Sequence, residues 1–402
     1  MPLVDFLVLD GSVTGDQRGR AWAVRFDDAL AANTCLLQPE GWVLSGDWRS
    51  LQARHAPFAL VQDFVQTLMR LRPQRVVFES LSGATADLAR LSLAIGLPTL
   101  VRRSTEPWQA VGEHGQRWLQ ALLERITVID ADQPLPAAPS GTPDGPAWDY
   151  GLYALGMRDL DLLLRMQSPD VRHLVGCQRV LDVGCGTGAM LEALARAGIG
   201  ACGVDRNPQS TRFAASLGLT VHTQDALAYL EQHPAQFDGL YCSHFVEHLP
   251  MPMVEQLIAL CARALVPGGV AVLSFPDPES IRSQLLGFWR DPEHVRFYHP
   301  QLIASVAAVH GLALEHNSQN LPGRRVGPFS LQAPAMPAMA PGSAPTLWQR
   351  IAPRLGLAQP GLLEALQHQI DHQQKLIDQL WQVNQTWAWE DNAVLKFRKT
   401  AA

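Results

Sequence analysis

Lysine is almost missing from this chain: Lys375, Lys396 and Lys399 are the only three, and arginine supplies the rest of the basic charge. The arginines are scattered and form no stripe. With a net charge of −6 the chain carries no electrostatic footprint for nucleic acid or for an anionic membrane. No CxxC pair occurs among the six cysteines (Cys35, Cys177, Cys185, Cys202, Cys242 and Cys261), and their spacing suits no metal site, so no metal is expected. Several lie in apolar runs, where a buried free thiol is the expected state, and this fits a reducing cytoplasm. No stretch of about 18 apolar residues exists to span a bilayer. The start, MPLVDFLVLDGS, lacks the basic region of a signal peptide and reads as a buried strand. These absences predict a soluble cytoplasmic protein, peripheral at an inner membrane only through partners. What is present, 47% hydrophobic against 17% charged residues over 402 positions, suffices for a folded chain of more than one domain.

Two linkers rich in proline and alanine, 133–148 and 333–360, divide the sequence. Between them, 149–332 is read as one domain. Before them, 1–132 alternates strands (Leu3–Asp10, Arg75–Glu79, Thr99–Arg102, Ile126–Ile129) with helical stretches (Ala84–Ala94, Trp108–Arg125). That order predicts a smaller Rossmann-like α/β domain with a parallel sheet. After them, 361–398 reads as a long helix. Leu366, Ile370, Ile377, Leu380 and Trp387 form an approximate heptad seam interrupted by Gln373 and Asn384, and Trp381 and Trp389 add apolar area. Two readings stay open: a coiled coil for homo-oligomerisation or docking to a glycan-pathway enzyme, or a helix folded back on its own domain.

Chemistry concentrates at QRVLDVGCGTG, residues 178–188. Val180–Val183 make a short buried strand, and the glycines then force a tight turn into a helix, because a side chain there would keep the backbone away from a ligand. Alone, Gly184-x-Gly186-x-Gly188-Ala189 could also serve a dinucleotide. The carboxylates decide against that. Asp182 can stand beside a cationic amino group but would repel a pyrophosphate. Asp205 ends a second strand, ACGVD, where a carboxylate accepts hydrogen bonds from ribose hydroxyls. Asn207-Pro208 suits a helix start, and Asp225 is placed to accept from an exocyclic amine.

VLDVGCGTG, GVD, QDALAYL, FDGLYCSHFVEHLP and LVPGGVAVL, in this order and spacing, resemble a class I S-adenosylmethionine-dependent methyltransferase over about 180 residues. The resemblance implies a Rossmann-like, mostly parallel sheet of seven strands. It also implies that Asp182, Gly184, Cys185, Gly186, Gly188, Asp205, Arg206, Asp225, Ala226 and Ser243 surround S-adenosylmethionine. Cys185 reads as a small filler and not as a nucleophile. GFWRDPEHVRFYHPQLI is similar to an insert of bacterial methyltransferases that accompany surface-polysaccharide and O-antigen glycosyltransferases, with Glu293 where those relatives usually carry threonine. LVLDGSVTG and VVFESLSGATADLARLSLAIGLPTLV resemble the N-terminal half of a two-lobed (GT-B type) glycosyltransferase. The lobe that would hold the nucleotide sugar is replaced by the methyltransferase-like domain, so a docking or remnant domain is expected at 1–132.

Methyl transfer needs alignment above all: near-attack geometry can supply roughly 7–11 kcal/mol of barrier reduction. For an alcohol acceptor a general base adds about 10²–10⁴-fold. His248, after the fourth strand, is the leading base, with Glu247 beside it to orient the ring or to act itself, and His244 as the lesser candidate. Asp291, His294, Arg296, Tyr298 and His299, interleaved with Trp289 and Phe297, suit acceptor binding, although His299-Pro300 equally reads as the start of a helix. The expected acceptor is a sugar or glycan, lipid-linked or free. The alternatives are a quinone- or phenol-like small molecule and a non-catalytic, cofactor-binding assembly protein.

Overall fold

The computed structural model describes residues 3–8, 22–26, 34–37, 58–136, 159–320, 360–385 and 392–400, apart from short gaps and a few isolated positions. Its first sheet has six strands: β1 (Leu3–Val8), β2 (Trp22–Phe26), β3 (Thr34–Leu37), β4 (Arg75–Phe78), β5 (Thr99–Arg102) and β6 (Thr127–Ile129), in the order β3-β2-β1-β4-β5-β6. β1, β4, β5 and β6 run parallel, as the strand–helix alternation predicts. β2 and β3 extend the sheet antiparallel beyond β1, and the sequence reading did not foresee them. Helices α1 (Phe58–Leu71), α2 (Gly83–Ile95) and α3 (Gly112–Leu123) connect the later strands.

The second sheet carries seven: β7 (Val180–Val183), β8 (Ala201–Asp205), β9 (Val221–Thr223), β10 (Phe237–Ser243), β11 (Leu265–Pro276), β12 (Leu312–Asn317) and β13 (Asn392–Lys399). Their order is β12-β13-β11-β10-β7-β8-β9. All pairings are parallel except the two made by β13. Around them lie α4 (Leu160–Gln167), α5 (Ala189–Arg196), α6 (Pro208–Ser216), α7 (Ala226–Gln232), α8 (Met251–Ala264) and α9 (Pro300–Val309). VLDV in β7 is buried at every position, as expected of a central parallel strand covered on both faces. α6 starts where Asn207 accepts hydrogen bonds from the Gln209 and Ser210 amides, with Pro208 in the first turn. Chain order reverses between β7 and β10, which opens a crevice at the carboxyl ends of those strands, the usual ligand position in such sheets.

The two sheets share packing. Phe213 and Leu217 of α6 join a core built by Phe64, Phe78, Leu88 and Leu91 of the N-terminal domain.

The single helix expected over 361–398 is corrected to two elements: α10 (Pro360–Gln385) and β13. In NAVLKFRK every second residue from Ala393 is apolar, and Ala393, Leu395 and Phe397 are fully buried in the core on one face while Val394 is buried on the other. A period of two marks a strand, and extending the helical pattern past Gln385 hides it. The seven-stranded sheet is therefore not contained in 149–332; it needs a strand from beyond the second linker. On α10, Leu366, Ile370 and Ile377 are exposed. Trp387 and Trp389 lie outside the described residues, and so do the side chains of Leu380, Trp381 and Asn384.

Candidate active site

The glycine turn after β7 is held by the Gly184 and Cys185 amides, which donate to the Val204 carbonyl at 2.9 and 3.1 Å. Gly184 sits at φ +73°, and a Cβ there would come within 2.5 Å of the Phe245 ring. Gly186 and Gly188 also have positive φ, and Gly188 caps α5. The result is a bare backbone cradle that any side chain would fill. Cys185 is buried and packs on Gly203, where a Cβ would lie 2.6 Å from its sulfur, so it fills space as expected.

Asp205, at the tip of β8, accepts from the Gly186 amide at 2.9 Å and the Asn207 amide at 2.8 Å. It braces the cradle, and the lone pairs left on its two oxygens can still accept ribose hydroxyls. Asp225 is exposed and caps α7 by accepting from the Ala228 amide, with Ala226 buried in the first turn behind it. Ser243 is buried at the end of β10. Arg206 reaches across to Glu293, with both carboxylate oxygens at 3.2 Å, and so ties the segment after β11 to the tip of β8. Here the glutamate that replaces the expected threonine finds its partner. Asp182 is buried, and its carboxyl is pushed up to about 8, by burial first and then by Asp205. A bare cradle next to a buried acid with no cation beside it among the described residues fits a cofactor with a nucleoside end and a positively charged end.

The second half of the site begins at His244, just past β10. Its backbone is left-handed, φ +51°, a rare conformation for a side chain other than glycine or asparagine, and its amide donates to the Ser274 carbonyl. Its Nδ1 faces Glu247 Oε1 at 3.1 Å, and its Nε2 faces the Asn392 amide nitrogen at 3.0 Å. A carboxylate can only accept, so the ring proton sits on Nδ1 and the Nε2 lone pair is engaged by Asn392. His244 is thus a brace and not a free base, which corrects its candidacy as a catalytic group. Asn392, brought in by β13, is the residue that sequence reasoning missed; its only signal was the alternation of NAVLKFRK.

A short turn, Val246–His248, then presents Glu247 and His248. Glu247 is 1% exposed, and its Oε2 and the His248 Nδ1 are buried without a hydrogen-bond partner among the described residues. Burial holds the His248 imidazolium below the usual histidine range, Glu247 working in the opposite direction. His294 donates from Nδ1 to the Phe288 carbonyl at 2.5 Å, which leaves Nε2 as its free lone pair, and its ring meets His248 edge-on with centroids 4.6 Å apart. The Val295 and Arg296 amides donate to the Glu247 carbonyl and pin the segment there. One ligand atom each from Glu247, His248 and His294 lies within 4.8 Å of the others, so this trio could hold a metal.

The rest of the expected acceptor cluster is mostly framework. Tyr298 is buried and donates to the Leu249 carbonyl at 2.7 Å, and His299 caps α9 by accepting from the Gln301 amide. Both carry framework bonds, and their expected contact with an acceptor rests on the sequence alone. Asp291 accepts from the Glu293 amide, and Arg296 lies exposed over the Tyr298 ring. Phe288 and Phe297 stack with centroids 3.7 Å apart, with Trp289 edge-on and 69% exposed.

Residues 119–317 match the family described as "Methyltransferase domain". The chain carries a methyltransferase domain. Its donor is S-adenosylmethionine, and the cradle and buried acid described above are the groups that would receive it. Similar curated proteins include the ubiquinone biosynthesis O-methyltransferase of Idiomarina loihiensis, 36% identical over 132 residues, covering 31% of this chain and 52% of that protein. The one of Methylococcus capsulatus is 34% identical over 129 residues, 31% of this chain and 53% of that protein. The chain spans about half the length of these curated relatives. Among solved structures, a SAM-dependent methyltransferase from Archaeoglobus fulgidus aligns with a TM-score of 0.40 at 21% identity, over 60% of this chain and 95% of that one. Among the described residues no helix is long and apolar enough to cross a membrane.

Proposed function

We propose that the protein O-methylates a small aromatic hydroxyl compound, a phenol or quinol, with S-adenosylmethionine as donor. One observation carries this reading: the cluster of buried Glu247 with half-buried His248 and His294 lies beside the aromatic wall of Phe288 and Phe297, at the carboxyl end of the sheet. The similarity to ubiquinone biosynthesis O-methyltransferases supports it. A sugar would ask for many free polar groups, yet Tyr298, His299 and Asp291 hold the framework together.

The cofactor supplies a methyl group already activated on a sulfonium. Asp182 offers the counter-charge for the cofactor's amino group, and the glycine turn lets the backbone close on it. An acceptor oxygen held against it would take that methyl group, and the electron pair of the broken carbon–sulfur bond would stay on sulfur. The hydroxyl proton leaves into the cluster, where burial keeps His248 neutral and ready to take it. The aromatic wall and the pinned 288–299 segment keep water from the reacting oxygen.

The test is methyl transfer from labelled donor by the purified full chain, with catechols and hydroquinones set against free and lipid-linked sugars. Transfer to the aromatic hydroxyls supports the reading. Transfer confined to glycans overturns it in favour of surface-polysaccharide methylation, the reading that exposed Trp289 and Arg296 would serve.

A further inference from the structure

We infer that the N-terminal domain takes part in methyl transfer as the back wall of the glycine cradle, with Leu219 as the positioning residue between the two. The inference rests on the reading of that cradle as the donor site. It starts from a glycine whose open side is already occupied. Gly188 closes the turn at φ +86°, and a Cβ there would lie 2.6 Å from Leu219 Cδ1 and 3.1 Å from Ala214 Cβ. Ala214 belongs to α6, Leu219 follows it, and this stretch is held from outside its own sheet. α6 lies along α2 and against α3. Phe213 and Leu217 are buried in the N-terminal core, and Leu219 packs on the same core. Gly218 passes α3 so closely that a Cβ would stand 3.2 Å from that of Ala121. α5, which grows out of Gly188, is met at its far end. There the Arg196 guanidinium lies over the Trp118 ring of α3, 5.4 Å from its centroid, while it also pairs with Glu192 in the first turn of α5.

The sequence makes α6 two-sided. Phe213 and Leu217, one turn apart, face the N-terminal domain, and the small side chain of Ala214 lets the helix come up to Gly188. The start of α6 is fixed to the cradle as well. Asp205 accepts from both the Gly186 and Asn207 amides, and Asn207 caps the helix. Gly184, Gly186 and Gly188 all have positive φ, and a run of such residues has many conformations open to it when nothing bounds it. A wall that removes the wrong ones before the donor arrives raises affinity by lowering the ordering cost of binding. The N-terminal core supplies that wall, and Leu219 carries it to Gly188.

The experiment measures donor binding by calorimetry on the full chain, well below its melting temperature, with S-adenosylmethionine itself as the probe. Leu219 is half-buried, and Leu219→Ala should raise the dissociation constant about tenfold. Leu219→Met, of nearly the same volume, should restore it to within about twofold. Hydrogen exchange at the Gly184, Cys185 and Gly188 amides, all bonded in the turn, should quicken in the alanine variant and slow again in the methionine one. Val77→Ala is the comparison. Its side chain is buried in the cluster on the opposite face of β4, so it loosens the N-terminal domain away from the wall and should leave donor affinity at the wild-type value. Phe213→Leu thins the same wall from inside the N-terminal core, and it decides the matter if Leu219→Ala does not fold. Donor affinity unchanged in Leu219→Ala and Phe213→Leu, or lowered equally in Val77→Ala, overturns the inference. Gly184→Ala tells that failure from a failure of the donor-site reading. If it weakens donor binding while Leu219→Ala does not, the cradle stands without a wall. If it leaves donor binding intact, the cradle is not the donor site and the inference falls with it.

Discussion

The two sheets treat buried charge differently. In the N-terminal domain Asp87 and Arg90, one turn apart on α2, pair at 2.9 Å, both almost fully buried, and Arg90 also donates to the Trp118 carbonyl. Opposite charges cancel locally. In the methyltransferase sheet Asp182 and Glu247 are also buried; among the described residues no cation stands beside Asp182, and Glu247 has one oxygen on the His244 ring and the other without a partner. A fold that needs only to persist matches its buried charges, whereas one that awaits a ligand leaves them unmatched.

The largest expected effect separates the two kinds directly. His248→Ala should lower kcat by about 10²–10⁴-fold with the melting temperature little changed. Asp87→Ala should do the reverse, removing about 3–5 kcal/mol of stability while the folded fraction keeps its kcat/KM. Denaturant titration alongside initial rates checks both, and an equal loss of rate in the two variants would erase the distinction. Next comes Leu395→Ala in β13, expected to cost about 2–5 kcal/mol because the strand is buried in mid-sheet. An unchanged denaturation midpoint would mean that β13 does not belong to the core.

Much of this site was legible in the sequence because it is written locally. The glycine turn, Asp205 at a strand end and the Asn207-Pro208 helix start each lie within a few residues of the backbone they control. What escaped depends on distance along the chain. His294 reaches His248 only because Val295 and Arg296 bond to the Glu247 carbonyl, and Asn392 reaches His244 only through β13. Tyr298 and His299 show a third case: their bonds to Leu249 and Gln301 give them a framework role that the sequence names only for His299, as the start of a helix.

A smaller effect tests the cradle. Gly184→Ala puts a Cβ against Phe245 at a positive φ, a penalty of about 1–2 kcal/mol, and should weaken cofactor binding roughly tenfold by calorimetry. Asp182 adds a pH dependence. Its carboxyl ionises near the ordinary value of 3.8 when unfolded but only at about 8 when folded. The folded chain therefore binds the extra proton between those values, and this group's contribution to stability falls as pH rises through that window. Cofactor uptake, which favours the carboxylate, should release a proton below pH 8, detectable by calorimetry in buffers of different ionisation enthalpy. Asp182→Asn should abolish that release. The smallest effect belongs to Arg206→Ala. This exposed pair with Glu293 is worth less than about 1 kcal/mol, and any change in cofactor affinity should shrink in high salt.

The placement of β13 bears on how the molecule is made. β11 and β12 are both complete once the ribosome passes Asn317, but neither can pair on its facing side until Asn392–Lys399 has been synthesised. Until then the nascent chain exposes two unprotected strand edges, a standing invitation to wrong partners. Selection is therefore expected to tolerate changes in the length of the intervening segment, since lengthening a closed loop adds little entropy cost, and to guard the eight residues that close the gap.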